Sequence, residues 1–590
     1  MEEQDWTVRR VIALPTTLAL AAGLLLAALV APPARADSGA PKPAPAAVRT
    51  IFDLQPSRTD ASVAIQDASG RRGTATLVNL NPAINAWFVL TLEWGTPGGG
   101  ASYHLENPHP KHQTVRLATS QPDGLAVSFG DSEDACIVWL AGGLSALEAA
   151  RRSGQAYAPL CDGRLYLRNR VPGARTELER TTDLLRDRVP GGERLIGLVK
   201  EGFHDRFRDA GARGTGAAAT PSPSDGPLPA VLAPSAEPPV VPSQLGIDVG
   251  QPVATLRPGR WYPASGLAGV YVSYVMPRAL TPELLRSARD RVNELDAVEA
   301  GAVDYLIAFD LQVFELGFAI GTDHPRVGWS DRVAPALRDR AAGPDGIASI
   351  APLVGNGQVS PALAGLTVAT FTGGFKRQHG AFKYGALAER NHGSHYGFIE
   401  HGTVLSTLQP GLSTLYMLDD GTVEIATWSN QLDALLPRIR HARQNGVALI
   451  EYDPATGSAT PGALVNRWGP GNWSGSADEQ LRSVRAGACV QATPNRRFLI
   501  YGYFSAATPS AMARVFQAYG CRDAIHLDMN ALEHTYLAIY VVREGETMIE
   551  HLVQGMAQID KKVAGGSQAR FLQVPDDRDF FYVVRREVAR

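Results

Sequence analysis

A chain of 590 residues with 45% hydrophobic and 19% charged residues has ordinary globular composition at several times the usual domain size, so two or more folded domains are expected. A formal net charge of -3 and the lack of a concentrated basic patch exclude a partner held by bulk electrostatics. No nucleic acid is expected, and any partner has to be read from local sites.

At the N-terminus, Arg9 and Arg10 precede an apolar stretch from Val11 to Val30, and Pro32, Pro33 and Ala34-Arg35-Ala36 follow. That order reads as a secretory signal with its cleavage site over residues 1–36. Glu2, Glu3 and Asp5 dilute the positive flank, and the apolar run is long enough to cross a bilayer, so an uncleaved anchor is the second reading. Both place the bulk of the chain outside the cytoplasm: periplasm, cell envelope or secreted. Membrane contact is then confined to this segment, and only if it stays uncleaved.

Residues 37–48 are rich in Pro, Ala and Ser and read as a tether. From 49 to 209, short alternating runs such as Thr74 to Leu80 and Ala86 to Trp94 predict antiparallel strands. Helices are expected at Leu144 to Ser153 and around Thr176 to Arg188. This is a β-rich accessory domain, whose Trp87, Trp94 and Tyr103 are more simply core residues than sugar platforms. A Pro/Ala-rich tract over 210–244 reads as a linker.

Residues 245–590 mix both periodicities. Thr281-Pro282 predicts a helix start with Leu284, Leu285, Ala288, Val292 and Leu295 on one face. Gly269 to Met276 and Tyr305 to Ile320 read as strands. Thr508-Pro509 opens a second helix that Gly520 can stop, Asp523 to Asp528 is a short buried strand, and Thr535 to Val542 is another strand entering a turn at Glu544-Gly545.

The four cysteines fall into two pairs close in sequence, Cys136 with Cys161 and Cys489 with Cys521, and none has metal-site spacing. Two disulfides are the simplest reading; four separate buried thiols are the alternative.

An apolar strand ending in an acid presents a carboxylate at a sheet rim, which is the position of Asp528. With a side-chain period of two, His526 and Asp528 share a face, offering an imidazole and a carboxylate to one cleft. The plainer alternative is a hydrogen-bonded core histidine and a turn-capping aspartate.

Phe371-Thr372-Gly373-Gly374-Phe375 resembles the glycine-glycine-aromatic signature of the phosphodiester glycosidase family. Tyr396-Gly397-Phe398 with His401-Gly402-Thr403, the turn Asp419-Asp420-Gly421, Arg485-Ala486-Gly487, the strand from Arg497 to Gly502, the Thr508 to Gly520 helix and Ala524 to Asp528 follow in that family's order, over about residues 366–540. The resemblance implies an α/β fold, a mixed α+β sheet, for the C-terminal domain. It also implies a hydrolase acting on a carbohydrate or sugar-phosphate substrate, and it names no cofactor. On that reading Asp528, His526 and Arg497 are the candidate catalytic residues, and Gly373, Gly374, Phe375, Asn530, Glu533 and His534 line the substrate.

Two departures matter. Thr372 stands where the family has asparagine, and Met529-Asn530-Ala531-Leu532 replaces its G-G-G-S. Asn530 tolerates positive φ and keeps an amide donor, so the loop reads as rebuilt. Arg497 is the expected phosphate partner, with Lys376 and Arg377 behind it. His379, His392, His395 and His401 match no common metal spacing, so no metal is expected, and Trp468 to Trp473 is a candidate site loop. The expected function is an exported hydrolase cleaving a sugar-phosphate diester or related glycosidic bond. The alternative is a glycan- or envelope-binding protein that retains the fold without hydrolysis.

Overall fold

The computed structural model describes residues 49–66, 70–95, 100–118, 124–129, 132–139, 145–177, 179–181, 208–213, 225–235, 240–324, 327, 329, 345–377, 396–467, 480–563 and 566–586. The signal or anchor segment, the tether, the later part of the Thr176 to Arg188 helix, His379, His392, His395 and the Trp468 to Trp473 loop lie outside them.

Antiparallel sheets carry the fold. An eight-stranded sheet runs in the order Tyr262–Pro263, Val270–Val275, Asp304–Asp310, Arg497–Ala507, Ser483–Ala492, Cys521–Met529, Ala448–Asp453, Ser458–Pro461. A five-stranded sheet runs Phe314–Ala319, Phe580–Arg585, Thr367–Thr372, Leu537–Arg543, Glu546–His551, and a second runs Thr403–Ser406, Phe398–Glu400, Ile439–Gln444, Ser413–Leu418, Val423–Thr427. The expected mixed fold is thus β-rich, built from antiparallel ladders with short helices.

The Pro509–Ala518 helix forms as expected. Thr508 Oγ1 accepts from the Ala511 amide, proline occupies the first turn, and Gly520 follows at φ +68°. Met512 and Phe516 reach Gly487 so closely that a Cβ there would lie 2.8 Å from Met512 Cε. The small residue lets the helix sit on the sheet.

The helix predicted to run from Thr281 to Leu295 ends early. It spans Pro282–Arg286; Ser287 is extended and Ala288 has φ +47°, so the apolar spacing beyond it serves a turn rather than a helix. The Tyr305 to Ile320 run is two strands, Asp304–Asp310 and Phe314–Ala319, because a turn at residues 311–313 separates them and they join different sheets.

The residues from Ala46 to Arg590 form one compact unit. A six-stranded sheet built from Thr59–Gln66, Arg72–Asn79, Trp87–Trp94, Gly100–Glu106, Leu165–Arg168 and Tyr157–Leu160 has its own small core, with Phe88, Leu90, Leu105 and Leu125 in it. Its other face contributes Leu80, Trp87 and Val89 to the main core, which answers the question of Trp87, and Tyr103 is likewise buried. Buried Arg168 donates to Glu106 and to Glu400, 3.5 Å away, across that junction. Described residues of the Pro/Ala-rich tract bond to the helix and the main sheet: the Val231 amide donates to Ala518 O, and the Leu228 amide to Gln491 Oε1.

Cys136–Cys161 and Cys489–Cys521 are disulfides, with Cα atoms 5.5 and 5.8 Å apart. Two disulfides fit a chain that folds in an oxidising compartment. Among the described residues no helix is long and apolar enough to cross a membrane.

Candidate functional site

Asp528 stands at the end of the Cys521–Met529 strand, as its sequence predicts. The ladder slips just before it: Met529 pairs with Arg485 and His526 with Gly487, so three steps on one strand oppose two on the other. This bulge breaks the period of two between His526 and Asp528. The imidazole of His526 is wholly buried, 4.9 Å from the Phe375 ring centroid, with Nε2 3.3 Å from Arg485 Nη1. Burial, and then Arg485, push its pKa well below the usual histidine range. His526 thus stands in the core, against Phe375 and Arg485.

Asp528 faces a different partner. Its Oδ2 accepts from Arg578 Nη1 at 3.1 Å, and its Oδ1 accepts from the Met529 amide at 2.8 Å. Arg578 Nη2 lies 2.6 Å from His534 Nε2, and His534 Nδ1 lies 2.7 Å from Met529 O. One tautomer satisfies both contacts: Nδ1–H donates to the carbonyl, and the Nε2 lone pair accepts from the guanidinium. His534 Nδ1 is also 4.0 Å from Asp528 Oδ1, and its side chain is 16% exposed against 7% for Asp528, so this edge of the cluster is its more open one.

The double-glycine segment comes to the same place. Asn445 links it to the strand, since Oδ1 accepts from the Phe375 amide at 3.1 Å and Nδ2 donates to His526 O and Leu527 O, each at 2.6 Å. Gly374 has φ +133°, and a Cβ there would lie 2.9 Å from Arg443 Nη1, which explains the glycine. The amide of Gly373, a residue expected to line the substrate, donates to Asp579 O at 2.8 Å.

Asn530 has φ +82°; its amide donates to Val484 O and its Oδ1 accepts from Ser483 Oγ. Glu533 is buried, taking Thr176 Oγ1 on its carboxylate at 3.3 Å and Arg570 Nη1 on its carbonyl at 3.0 Å. Arg497 does not join them. It pairs with Glu424 at 2.8 Å and sits opposite Ala492, at the far end of the strand whose Arg485 opposes Met529. Seven residues of strand put it about 20 Å away.

Sequence reasoning missed the segment that organises the cluster, Asp576-Asp577-Arg578-Asp579. All four are buried, directly before the Phe580–Arg585 strand. Asp579 accepts from the Gly321 amide and Arg443 and lies 2.9 Å from His324 Nδ1; Asp577 meets Lys376 at 3.1 Å and Arg175 at 2.8 Å. Four consecutive charges read as solvated surface. The available signal was their position, immediately ahead of an apolar strand.

Glu179 closes the network from the N-terminal half. Thr176 and Glu179 form a reciprocal cap, and Glu179 Oε1 accepts from Arg578 Nε at 2.7 Å and Arg570 Nη2 at 3.1 Å. Burial raises its pKa, but Arg570 and Arg578 outweigh that and hold it well below the carboxylate range. Burial likewise opposes the charge on Arg578, yet Glu179, Asp528 and Asp577 hold its proton more tightly than usual. Among the described residues no group of three or more His, Cys, Asp or Glu side chains is arranged to hold a metal ion.

No protein-family model matches the chain, and no curated protein matches it. Among solved structures, a hypothetical protein from Synechocystis is similar at 10% identity and a TM-score of 0.25, over 85% of this chain and 97% of that one. A protein described as exported, from Burkholderia pseudomallei K96243, is similar at 10% identity and a TM-score of 0.20, over 48% of this chain and 74% of that one. At that level of superposition, function rests on the residues of this chain.

Proposed function

We propose that this chain is an exported hydrolase of the phosphodiester glycosidase type, cleaving a sugar-phosphate diester or related glycosidic bond at the Asp528 cluster. The observation that carries the reading is the arrangement of Asp528, Arg578 and His534, tied through Asn445 and Asp579 to the Gly373-Gly374 segment. Ion-paired with Arg578, Asp528 is suited to orient a water and accept its proton as the oxygen bonds to the anomeric carbon. The carbon–oxygen bond to the leaving phosphate breaks in the same step. His534 stands beside Asp528 as a positioning residue, its Nε2 accepting from Arg578 and its Nδ1 donating to Met529 O.

One observation favours the rival reading, a glycan-binding protein without hydrolysis. Each nitrogen of Arg578 already has a partner, in Glu179, Asp528 and His534. Arg578 then serves the cluster rather than an incoming anion. The two readings separate on a panel of synthetic sugar-1-phosphodiesters. Turnover that Asp528→Asn abolishes supports the enzyme; saturable binding without turnover supports the binding protein.

A further inference from the structure

A cavity of about 720 Å³ lies against the back of this cluster, between the Pro172 to Arg180 segment and the Gln558 to Lys561 segment. Its size falls in the range that encloses one small organic ligand. The floor is charged yet internally matched. Glu179 and Asp576 both bond Arg570, and Asp560 accepts from Tyr536 Oη at 2.7 Å and meets His551 Nε2 at 3.1 Å. These side chains are nearly fully buried and hold one another in place, so they present fixed acceptors and donors.

Charge decides the ligand class. The lining carries four cations, Arg175, Arg180, Lys561 and Arg570, against four carboxylates, Glu177, Glu179, Asp560 and Asp576. A polyanion would meet as much repulsion as attraction there, and a fully apolar ligand would strand the ionised floor. A neutral ring bearing many hydroxyl groups suits both signs, because each hydroxyl donates to a carboxylate and accepts from a guanidinium or ammonium. Pro172, Ala174, Ile559, Val574 and Pro575 supply apolar surface for the faces of such a ring.

We propose that this cavity is a carbohydrate subsite that binds an uncharged sugar residue. The proposal rests on the hydrolase reading in one respect, that the sugar belongs to the same substrate. Glu179 joins the two sites, since its Oε1 accepts from Arg578, which in turn donates to Asp528. The segment from Gly173 to Glu179 is fastened there. The Ala174 amide donates to Pro575 O at 2.8 Å, and a Cβ on Gly173 would lie 2.5 Å from the Asp577 amide nitrogen. The N-terminal half therefore contributes a wall of the subsite rather than a detachable accessory.

The test is saturation-transfer NMR on the full chain with the neutral disaccharides cellobiose and N,N'-diacetylchitobiose, and chondroitin sulfate as an anionic control. Wild type should bind at least one neutral disaccharide saturably and in preference to the control. Ile559→Trp, which fills the cavity, should weaken binding by about tenfold with an unchanged melting temperature. Lys561→Ala, at an exposed position, should weaken it about threefold and decides the matter if the tryptophan variant fails to fold. The proposal is overturned by absent saturable binding, by preference for the control, or by variants that fold and bind as wild type does. Binding with no phosphodiester turnover in wild type would remove the hydrolase reading and leave the subsite standing. Turnover without disaccharide binding would remove the subsite alone.

Discussion

Arg578 donates to Asp528 across 3.1 Å between two side chains that are each 7% exposed, so neither charge has bulk water to fall back on. Removing one partner of such a pair strands the other. Arg578→Ala leaves both Asp528 and Glu179 without it and should destabilise the fold by about 3 to 5 kcal/mol in urea unfolding. A loss under about 1 kcal/mol would mean that the cluster is solvated and the network is not structural.

Asn530 gives a local test of the rebuilt loop. At φ +82°, Asn530→Gly should leave stability nearly unchanged, whereas Asn530→Val should cost roughly 1 to 3 kcal/mol. Thermal unfolding of the two variants measures the difference. Equal melting temperatures would show an ordinary backbone there.

Parts of this site were legible in the sequence because their causes are local. The Thr508 cap, the Gly520 stop and the strand ending in Asp528 each depend on neighbouring residues, and asparagine at position 530 announced a positive φ. The errors have non-local causes. The bulge beside Asp528 arises from pairing with the Ser483–Ala492 strand, so the shared face expected of His526 and Asp528 was a statement about an unpaired strand. Arg497 was judged by its motif, while its place is set by antiparallel register, at the far end of the sheet. Arg578, Arg570 and Glu179 were invisible because Glu179 meets the two arginines only in the fold, across 391 and 399 residues of chain.

Acid stability should follow Glu179 and Glu400 in opposite directions. Glu179 has a depressed pKa, so its contribution is present above the ordinary carboxylate range and is lost as the pH falls below it. Glu400 is raised from 4.5 to about 8, first by burial, with Arg168 offsetting only part because it also serves Glu106. A raised carboxyl pKa favours folding below its ordinary value, and that contribution is lost as the pH rises towards about 8. Glu400→Gln should therefore flatten the fall in stability between about pH 5 and about pH 8. Urea midpoints across that window measure it, and an unchanged slope would mean that Glu400 is ionised throughout.

The Cys489–Cys521 bridge joins the Ser483–Ala492 strand to the beginning of the strand that carries Asp528, closing a separation of 32 residues. Replacing both cysteines with alanine should lower stability by about 3 to 4 kcal/mol on chain entropy. Peptide mass mapping of the unreduced protein should recover the linked pair, and free thiols at both positions would contradict the bridge.

The central claim is that Asp528 works on a phosphodiester-linked sugar. The direct measurement is turnover of a panel of synthetic sugar-1-phosphodiesters by the full chain and by Asp528→Asn, with melting temperatures to confirm that both are folded. The account predicts release of phosphate monoester by wild type and a loss of at least about a hundredfold in the variant, the scale of a removed general base. Turnover that survives in the folded Asp528→Asn variant, or none from wild type on any member of the panel, would contradict it.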